Sequence, residues 1–307
     1  MPSLKAIRTR ITSVKNTRKI TRAMKLVSTA KLRRAQDALI QARPYTQAIT
    51  RVVGELSATA GNEAHKLFEE RPLAKACIIA VTSDRGQAGA FNANVTKAVE
   101  KYAANELSGA TEVTLRIIGR KGNQYFSRRR ATITSYDPAP TGVTALESAR
   151  ETANRVIDDF LTGKVDRVFV VYNEFKNAAT QAVRVKQILP VVPEKVTALT
   201  TTKAPASPQA PQAGAGHDNE SSDFIYEPNQ QVLLDRLVPL YVQIMLYGAA
   251  LESITSFFAA QMTAMENATK NAGDMISALT LQFNRARQAS ITKELAEIVG
   301  GAEALKG

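Results

Sequence analysis

The chain has 307 residues, 44% of them apolar, which is enough to bury a real core and to build about two ordinary domains. One cysteine and two histidines, the latter far apart and in polar surroundings, exclude disulfides, thiol metal sites, a histidine zinc site and a histidine-based catalytic triad. No uninterrupted run of 18 apolar residues is present, and the start Met1-Pro2-Ser3-Leu4-Lys5 lacks the layout of a secretory signal, so a cytoplasmic protein without a membrane span is expected.

The net charge of +12 is concentrated. Residues 1–34 hold eleven Lys and Arg and no acid, leaving the other 273 residues at +1. Such a field seeks an acidic partner: a nucleic acid, an anionic membrane or an acidic protein loop. A merely solvated face would intersperse acids for i to i+4 pairs. The segment has no Phe, Tyr or Trp to stack on bases.

The same segment steps in fours and threes from Leu4 through Ile7, Ile11, Val14, Arg18, Thr21, Lys25, Ser28, Leu32, Ala35, Leu39 and Ala42, a helix-pair seam that turns polar in its middle. There the apolar residues move to a neighbouring stripe of Ile20, Met24 and Val27. Two readings stand equal on pattern alone: another partner meets that stripe, or the pair loosens. Pro44 and Gly54 weaken the far end of the helix.

The middle of the chain alternates β-branched runs with helical stretches. Strands are expected over 76–82, 113–118, 131–135, 167–172 and 182–189, and helices over 91–106, 121–129 and 143–161, which reads as an open α/β sheet. Cys77 falls in the first strand and reads as a small buried hydrophobe. After that strand, Ser83-Asp84-Arg85-Gly86-Gln87-Ala88-Gly89-Ala90-Phe91 opens a helix where α/β folds often hold phosphate. It has neither the Lys-Ser/Thr pair of a P-loop nor a third glycine at dinucleotide spacing, and a plain tight turn is the stronger reading.

From 197 to 223 the composition shifts to Thr, Ala, Pro, Ser, Gln and Gly, the mark of a linker or surface loop. A helix begins over 232–238, and Pro239 should kink or restart it. Beyond lies the longest seam, Ile244, Gly248, Leu251, Thr255, Phe258, Met262, Met265, Thr269, Ala272, Ile276, Leu279, Phe283 and Ala286. A 3.5-residue period held this long marks a helix supercoiled on a partner, and roughly 60 residues of it would reach roughly 90 Å.

The expected organisation is an N-terminal coiled-coil helix over 1–60, a central α/β domain over 61–196, a linker and foot over 197–227 and a C-terminal coiled-coil helix over 228–307, the two helices antiparallel. A basic coiled coil that binds nucleic acid and a nucleotide-using α/β enzyme with helical arms are the alternatives. Salt-dependent binding to DNA or RNA would mark the first, and saturable nucleotide binding lost at Arg85 or Gly86 the second.

The segment Ile291-Thr292-Lys293-Glu294-Leu295-Ala296-Glu297-Ile298-Val299-Gly300-Gly301-Ala302 resembles the C-terminal signature of the gamma subunit of F-type ATP synthases. Supporting matches are Asn16-Thr17-Arg18-Lys19-Ile20-Thr21-Arg22-Ala23-Met24, Ala42-Arg43-Pro44-Tyr45, Ser83-Asp84-Arg85-Gly86 and Ala90-Phe91-Asn92. The resemblance implies an antiparallel coiled coil beside a Rossmann-like domain, turning as a rotor shaft within a hexamer of three alpha and three beta subunits. Rotation driven by the membrane c ring would take the beta sites through binding, making and releasing ATP. The subunit itself would have no catalytic site and no cofactor, would be present once per complex, would contact epsilon, and would reach the cytoplasmic face of a bacterial inner membrane only through the complex.

Carried over residue by residue, the resemblance implies that Lys19, Arg22, Met24 and Lys25 meet an acidic lever loop of beta. It implies that Arg287, Gln288 and Thr292 hydrogen-bond a catch loop, and that Leu295 and Val299 belong to a tip running in an apolar bearing. Tyr226 and Glu227 would lie at the foot, against the c ring and epsilon. The chain departs from the family's frequent Leu-Cys in carrying Gln87-Ala88, and its long loop over 197–223 has no cysteine, which excludes thiol regulation of the chloroplast kind.

Overall fold

The computed structural model describes residues 3–60, 65–192 and 230–304. Two long helices, α1 (Leu4–Ala60) and α5 (Gln230–Ala304), flank an α/β region. That region contains strands β1 (Lys75–Val81), β2 (Glu112–Ile118), β3 (Ile133–Asp137), β4 (Arg167–Phe175) and β5 (Gln181–Leu189), with helices α2 (Phe91–Asn105), α3 (Arg120–Arg128) and α4 (Ala145–Leu161). The strand order is β3-β2-β1-β4-β5, parallel except for the antiparallel β4–β5 pair. Every expected strand and middle helix is present. The third strand is displaced by two residues towards the C-terminus, and the expected linker and the foot residues Tyr226 and Glu227 lie outside the described residues.

The central strand explains why the sheet forms. Residues Ala76 to Val81 are all buried, as expected of a parallel strand covered on both faces. Cys77, Ile79 and Val81 enter one core cluster with Val53 and Leu56 of α1, Ala153 and Phe160 of α4, and Leu234 and Val242 of α5. Ala76, Ile78 and Ala80 enter the opposite cluster with Val95 and Val99 of α2 and Phe126 of α3. Each fully buried side chain of this size contributes roughly 1.5–3 kcal/mol. A smaller cluster joins Leu39 of α1, Ala145 of α4 and Leu251 of α5, with Phe175 of β4 against it.

Pro239 does not restart the helix: α5 is continuous through it. An interior proline costs about 3 kcal/mol, but Leu234, Val238 and Val242 on either side are fully buried, and their burial outweighs that cost. Pro44 likewise sits inside α1. The apolar character of α5 also exceeds what a search for uninterrupted runs detects. It holds an 18-residue window of mean hydropathy 1.4, long and apolar enough by that measure to cross a membrane, and half of the window is buried in the protein's own core.

The chain divides into two compact units. Residues 33–86 and 90–257 form the sheet and its covering helices; residues 1–32, 87–89 and 258–307 form the other, built mainly from the start of α1 and the end of α5. In this second unit the helices are antiparallel. Thr21 faces Thr269, Lys25 faces Glu266 and Ser28 faces Gln261, so α5 partners descend as α1 ascends. The expected seam on α1 is the less exposed face at Leu4, Ile7, Ile11, Val14, Thr21, Lys25, Ser28 and Leu32, while Arg18 is exposed.

Candidate partner surface

The polar middle of the seam is neither loose nor empty. The Thr21 and Thr269 hydroxyls lie 2.7 Å apart, Ser28 Oγ donates to Gln261 Oε1 at 2.9 Å, and Lys25 Nζ reaches Glu266 Oε1 at 2.6 Å. Lys31 Nζ lies 5.5 Å from the centre of the Phe258 ring. Gly273 leaves room for Arg18, whose Nη1 would stand 4.0 Å from a Cβ placed there. Gln261 and Glu266 lie beside the 4-3 positions of α5, so reading that seam alone misses them as mates for Ser28 and Lys25.

The neighbouring stripe is bare. Ile20 is 60% exposed and Val27 55%, with Leu26 exposed beside them, while Met24 is half-buried. Lys19 and Arg22 are exposed on the same stretch. Lys25, a seam position also expected to meet the acidic loop of beta, is half-buried and held by Glu266; among the described residues it is the one cation of residues 1–34 with an ion pair. The surface thus combines apolar side chains with unneutralised positive charge.

A second exposed stretch lies at the end of α5. Facing positions on the two helices sum to about 290, as Thr21 with Thr269 shows, so Leu4 faces the region of Ala286. About 18 further residues of α5, roughly 27 Å of helix, have no counterpart on α1. Residues 291–301 are accordingly all exposed, including Ile291, Leu295, Ile298 and Val299. Arg287, Gln288 and Thr292 are exposed as well, and the Thr292 hydroxyl donates to the Gln288 carbonyl at 3.0 Å. The site residues therefore form two groups. Arg22 faces the region of residue 268, about 19 residues or roughly 28 Å along α5 from Arg287.

The glycine loop after β1 is a tight turn whose polar groups are already used. Asn92 Oδ1 accepts from the Ser83 N–H at 2.9 Å, and the Ser83 hydroxyl donates to the Arg85 carbonyl at 2.6 Å. Asp84 Oδ1 accepts from the N–H groups of Arg120, at the start of α3, and Ala139. This carboxylate occupies the α3 N-terminus, where a phosphate would otherwise be favoured, and would repel it. Thr82 binds the same turn together: its hydroxyl donates to the Ile118 carbonyl and accepts from the Gly122 N–H.

Chemistry is equally poorly provided for elsewhere. A 410 Å³ cavity is lined by Lys75, Cys77, Thr114, Arg116, Asp159 and their neighbours, but Arg116 and Asp159 are paired with each other. Burial pushes the Cys77 thiol up, away from the thiolate a nucleophile needs. Among the described residues no group of three His, Cys, Asp or Glu is placed to hold a metal.

Fold and surface together define a protein with a helix pair and a mixed α/β sheet that exposes apolar and basic surface on α1 and at the end of α5. A family model described as ATP synthase matches residues 3–305. The chain is 46% identical to the ATP synthase gamma chain of Anaeromyxobacter sp. (strain Fw109-5) and 42% identical to that of Geotalea uraniireducens (strain Rf4), each match covering the whole of both chains. Its fold is shared with a chain of the Euglena gracilis mitochondrial ATP synthase rotor, with TM-score 0.61 at 19% identity over 94% of this chain and 98% of that one. A chain of the Tetrahymena thermophila central stalk and c-ring structure gives TM-score 0.57 at 24% identity, covering 81% and 99%. The chain belongs to the family of ATP synthase gamma chains, non-catalytic subunits of that enzyme.

Proposed function

We propose that this chain is the central-stalk rotor subunit of an F-type ATP synthase, coupling rotation of the membrane c ring to the conformational cycle of the catalytic subunits. The observation that carries the mechanism is the bare stripe on α1. Ile20, Leu26 and Val27 stand exposed beside Lys19 and Arg22, on a segment without any acid. A stripe occupies one side of a helix, so a turning helix presents it to its surroundings in succession. Three catalytic sites arranged around it would each meet a different face at any instant.

In this reading three alpha and three beta subunits surround one copy of the chain. Lys19 and Arg22 supply attraction to an acidic loop of beta, and Met24 supplies an adaptable apolar contact. Lys25 joins them by leaving Glu266, a partly exposed pair whose net contribution is at most about 1 kcal/mol. Arg287, Gln288 and Thr292 meet a polar loop of the hexamer, and Leu295 and Val299 enter an apolar collar around the α5 tip. Tyr226 and Glu227 meet the c ring and epsilon. Residues 1–60 and 228–307 are the helical parts, 61–196 the α/β domain and 197–227 the foot. The complex places the chain peripherally at the cytoplasmic face of a bacterial inner membrane, with no nucleic acid and no cofactor bound to this subunit.

The test is reconstitution with cognate alpha and beta subunits. One copy per three pairs, with steady ATP hydrolysis above that of alpha and beta alone, is the expected result; a chain that stays free of the hexamer refutes the reading. Within that complex, replacing Lys19, Arg22 and Lys25 together by glutamine should leave assembly intact. Three charge contacts of about 0.2–1 kcal/mol each sum to about 0.6–3 kcal/mol and predict coupled synthesis lowered by about 3-fold or more, up to about 150-fold. Wild-type coupling in the triple variant would remove the charged contact from the mechanism.

A further inference from the structure

Glu252 sits on α5 about one and a half turns before that helix leaves the sheet-bearing unit at Phe257. Its Oε2 is buried and has no hydrogen-bond partner. The Phe175 N–H at the end of β4 faces the carboxyl group and favours its charged form, and one turn further on Ser256 Oγ donates to the Asn173 carbonyl at 3.0 Å. Ser256 thus fastens α5 to the last residues of β4, with the Glu252 carboxyl one turn away and beside the cluster that joins Leu39, Ala145 and Leu251.

Charged groups face this point from each neighbouring element. They are Arg43 on α1, Glu174 on β4, and Arg184 and Lys186 on β5, with the buried Tyr172 phenol of β4 among them. None of the cations is committed to Glu252. Arg184 Nε donates to Glu174 at 2.8 Å, and Lys186 Nζ lies 5.9 Å from the centre of the Tyr172 ring. A charged carboxylate with a bare oxygen in this position would be costly, whereas a protonated one is tolerable.

We propose that Glu252 makes the fastening between α5 and the β4–β5 hairpin responsive to protons, its buried, unpartnered oxygen recruiting Lys186 or Arg43 when the carboxyl proton leaves to solvent. The step is simple acid dissociation: the O–H bond breaks, the electron pair stays on the carboxylate, and the proton goes to water. The ammonium of Lys186 then exchanges the Tyr172 ring for Glu252, or Arg43 moves in from α1. How firmly the helices are gripped where they leave the sheet therefore varies with pH. The inference concerns this chain alone and stands apart from its place in a rotor.

Burial, the largest influence, raises the Glu252 carboxyl above the ordinary carboxylate range; Glu174 adds to this, while Lys186, Arg43 and the Phe175 N–H oppose it. A carboxyl raised on folding binds protons more tightly in the folded state, so stability is lost as pH climbs from the unfolded value through the folded one. Replacing Glu252 by glutamine, which keeps the shape and cannot ionise, removes that loss. Thermal unfolding of the full chain from pH 5 to pH 9 should show E252Q melting near wild type at pH 5 and above it at pH 8, the gap reaching about 2–4 °C. A gap that does not change with pH, or an E252Q variant less stable than wild type at pH 8, overturns the proposal. Should E252Q fail to fold, direct titration of the Glu252 carboxyl in the wild-type chain by NMR decides: a midpoint above that of the exposed glutamates is expected, and one at or below theirs overturns the proposal.

Discussion

Replacing Gly119 by alanine is expected to destabilise the protein by about 2–5 kcal/mol, the sum of a left-handed backbone forced on a side-chain-bearing residue and an overpacked contact. Gly119 has φ 100°, and a Cβ there would overlap the carbonyl oxygen and carbon of Thr82. Neither obstacle can move cheaply, because the Thr82 N–H is bonded to the Ile118 carbonyl at 2.7 Å and its hydroxyl to Ile118 and Gly122. With total stability of about 5–15 kcal/mol typical of a domain, the variant should be largely unfolded or insoluble at growth temperature. Denaturant unfolding of purified G119A checks this, and a midpoint within error of wild type would refute it. Alanine at Gly142, where a Cβ meets nothing within 4 Å, is the matched control.

The second large effect belongs to the buried ion pair. Arg116 on β2 is 9% exposed, donates to Ser135 Oγ at 3.1 Å and is paired with Asp159 of α4. Changing Asp159 to asparagine leaves the guanidinium buried without its counter-charge, for which about 3–5 kcal/mol is expected. The companion double variant, Arg116→Met with Asp159→Leu, removes both charges and should recover most of the loss, since an apolar replacement of a buried pair is often neutral or better. Chemical denaturation of the three proteins decides the matter; a single variant as stable as wild type would show that Lys164, 3.5 Å from Asp159, and solvent already screen the pair.

How much of this was legible depends on the range over which each feature is encoded. The parallel strands were readable because Ile78, Ile79, Val168, Val170 and Val171 are buried on both faces and leave uninterrupted apolar runs. The seams were readable because a helix pair repeats its contacts locally. The restart expected at Pro239 does not occur because a local rule about a missing N–H competes with burial of Leu234, Val238 and Val242, which only the assembled core supplies. The polar layer was half legible: Thr21, Lys25 and Ser28 announced it, while their mates lie some 230 to 250 residues away. Arg116 with Asp159, and Glu252 with its surrounding charges, carried no signal at all. Their spacing has no period, and only the strand order brings them together.

The unaccompanied end of α5 has a thermodynamic consequence. A single helix of about 18 residues lies near the limit at which isolated helices persist in water, and Gly300 and Gly301 side by side each lower its propensity by about 1 kcal/mol. Nothing on α1 compensates, and the apolar side chains there face solvent. Helix–coil balance in this stretch is consequently set by whatever encloses it. In the proposed rotor, a partner enclosing the tip would therefore spend part of its interaction energy on holding this stretch helical, and docking would be coupled to the order of the tip.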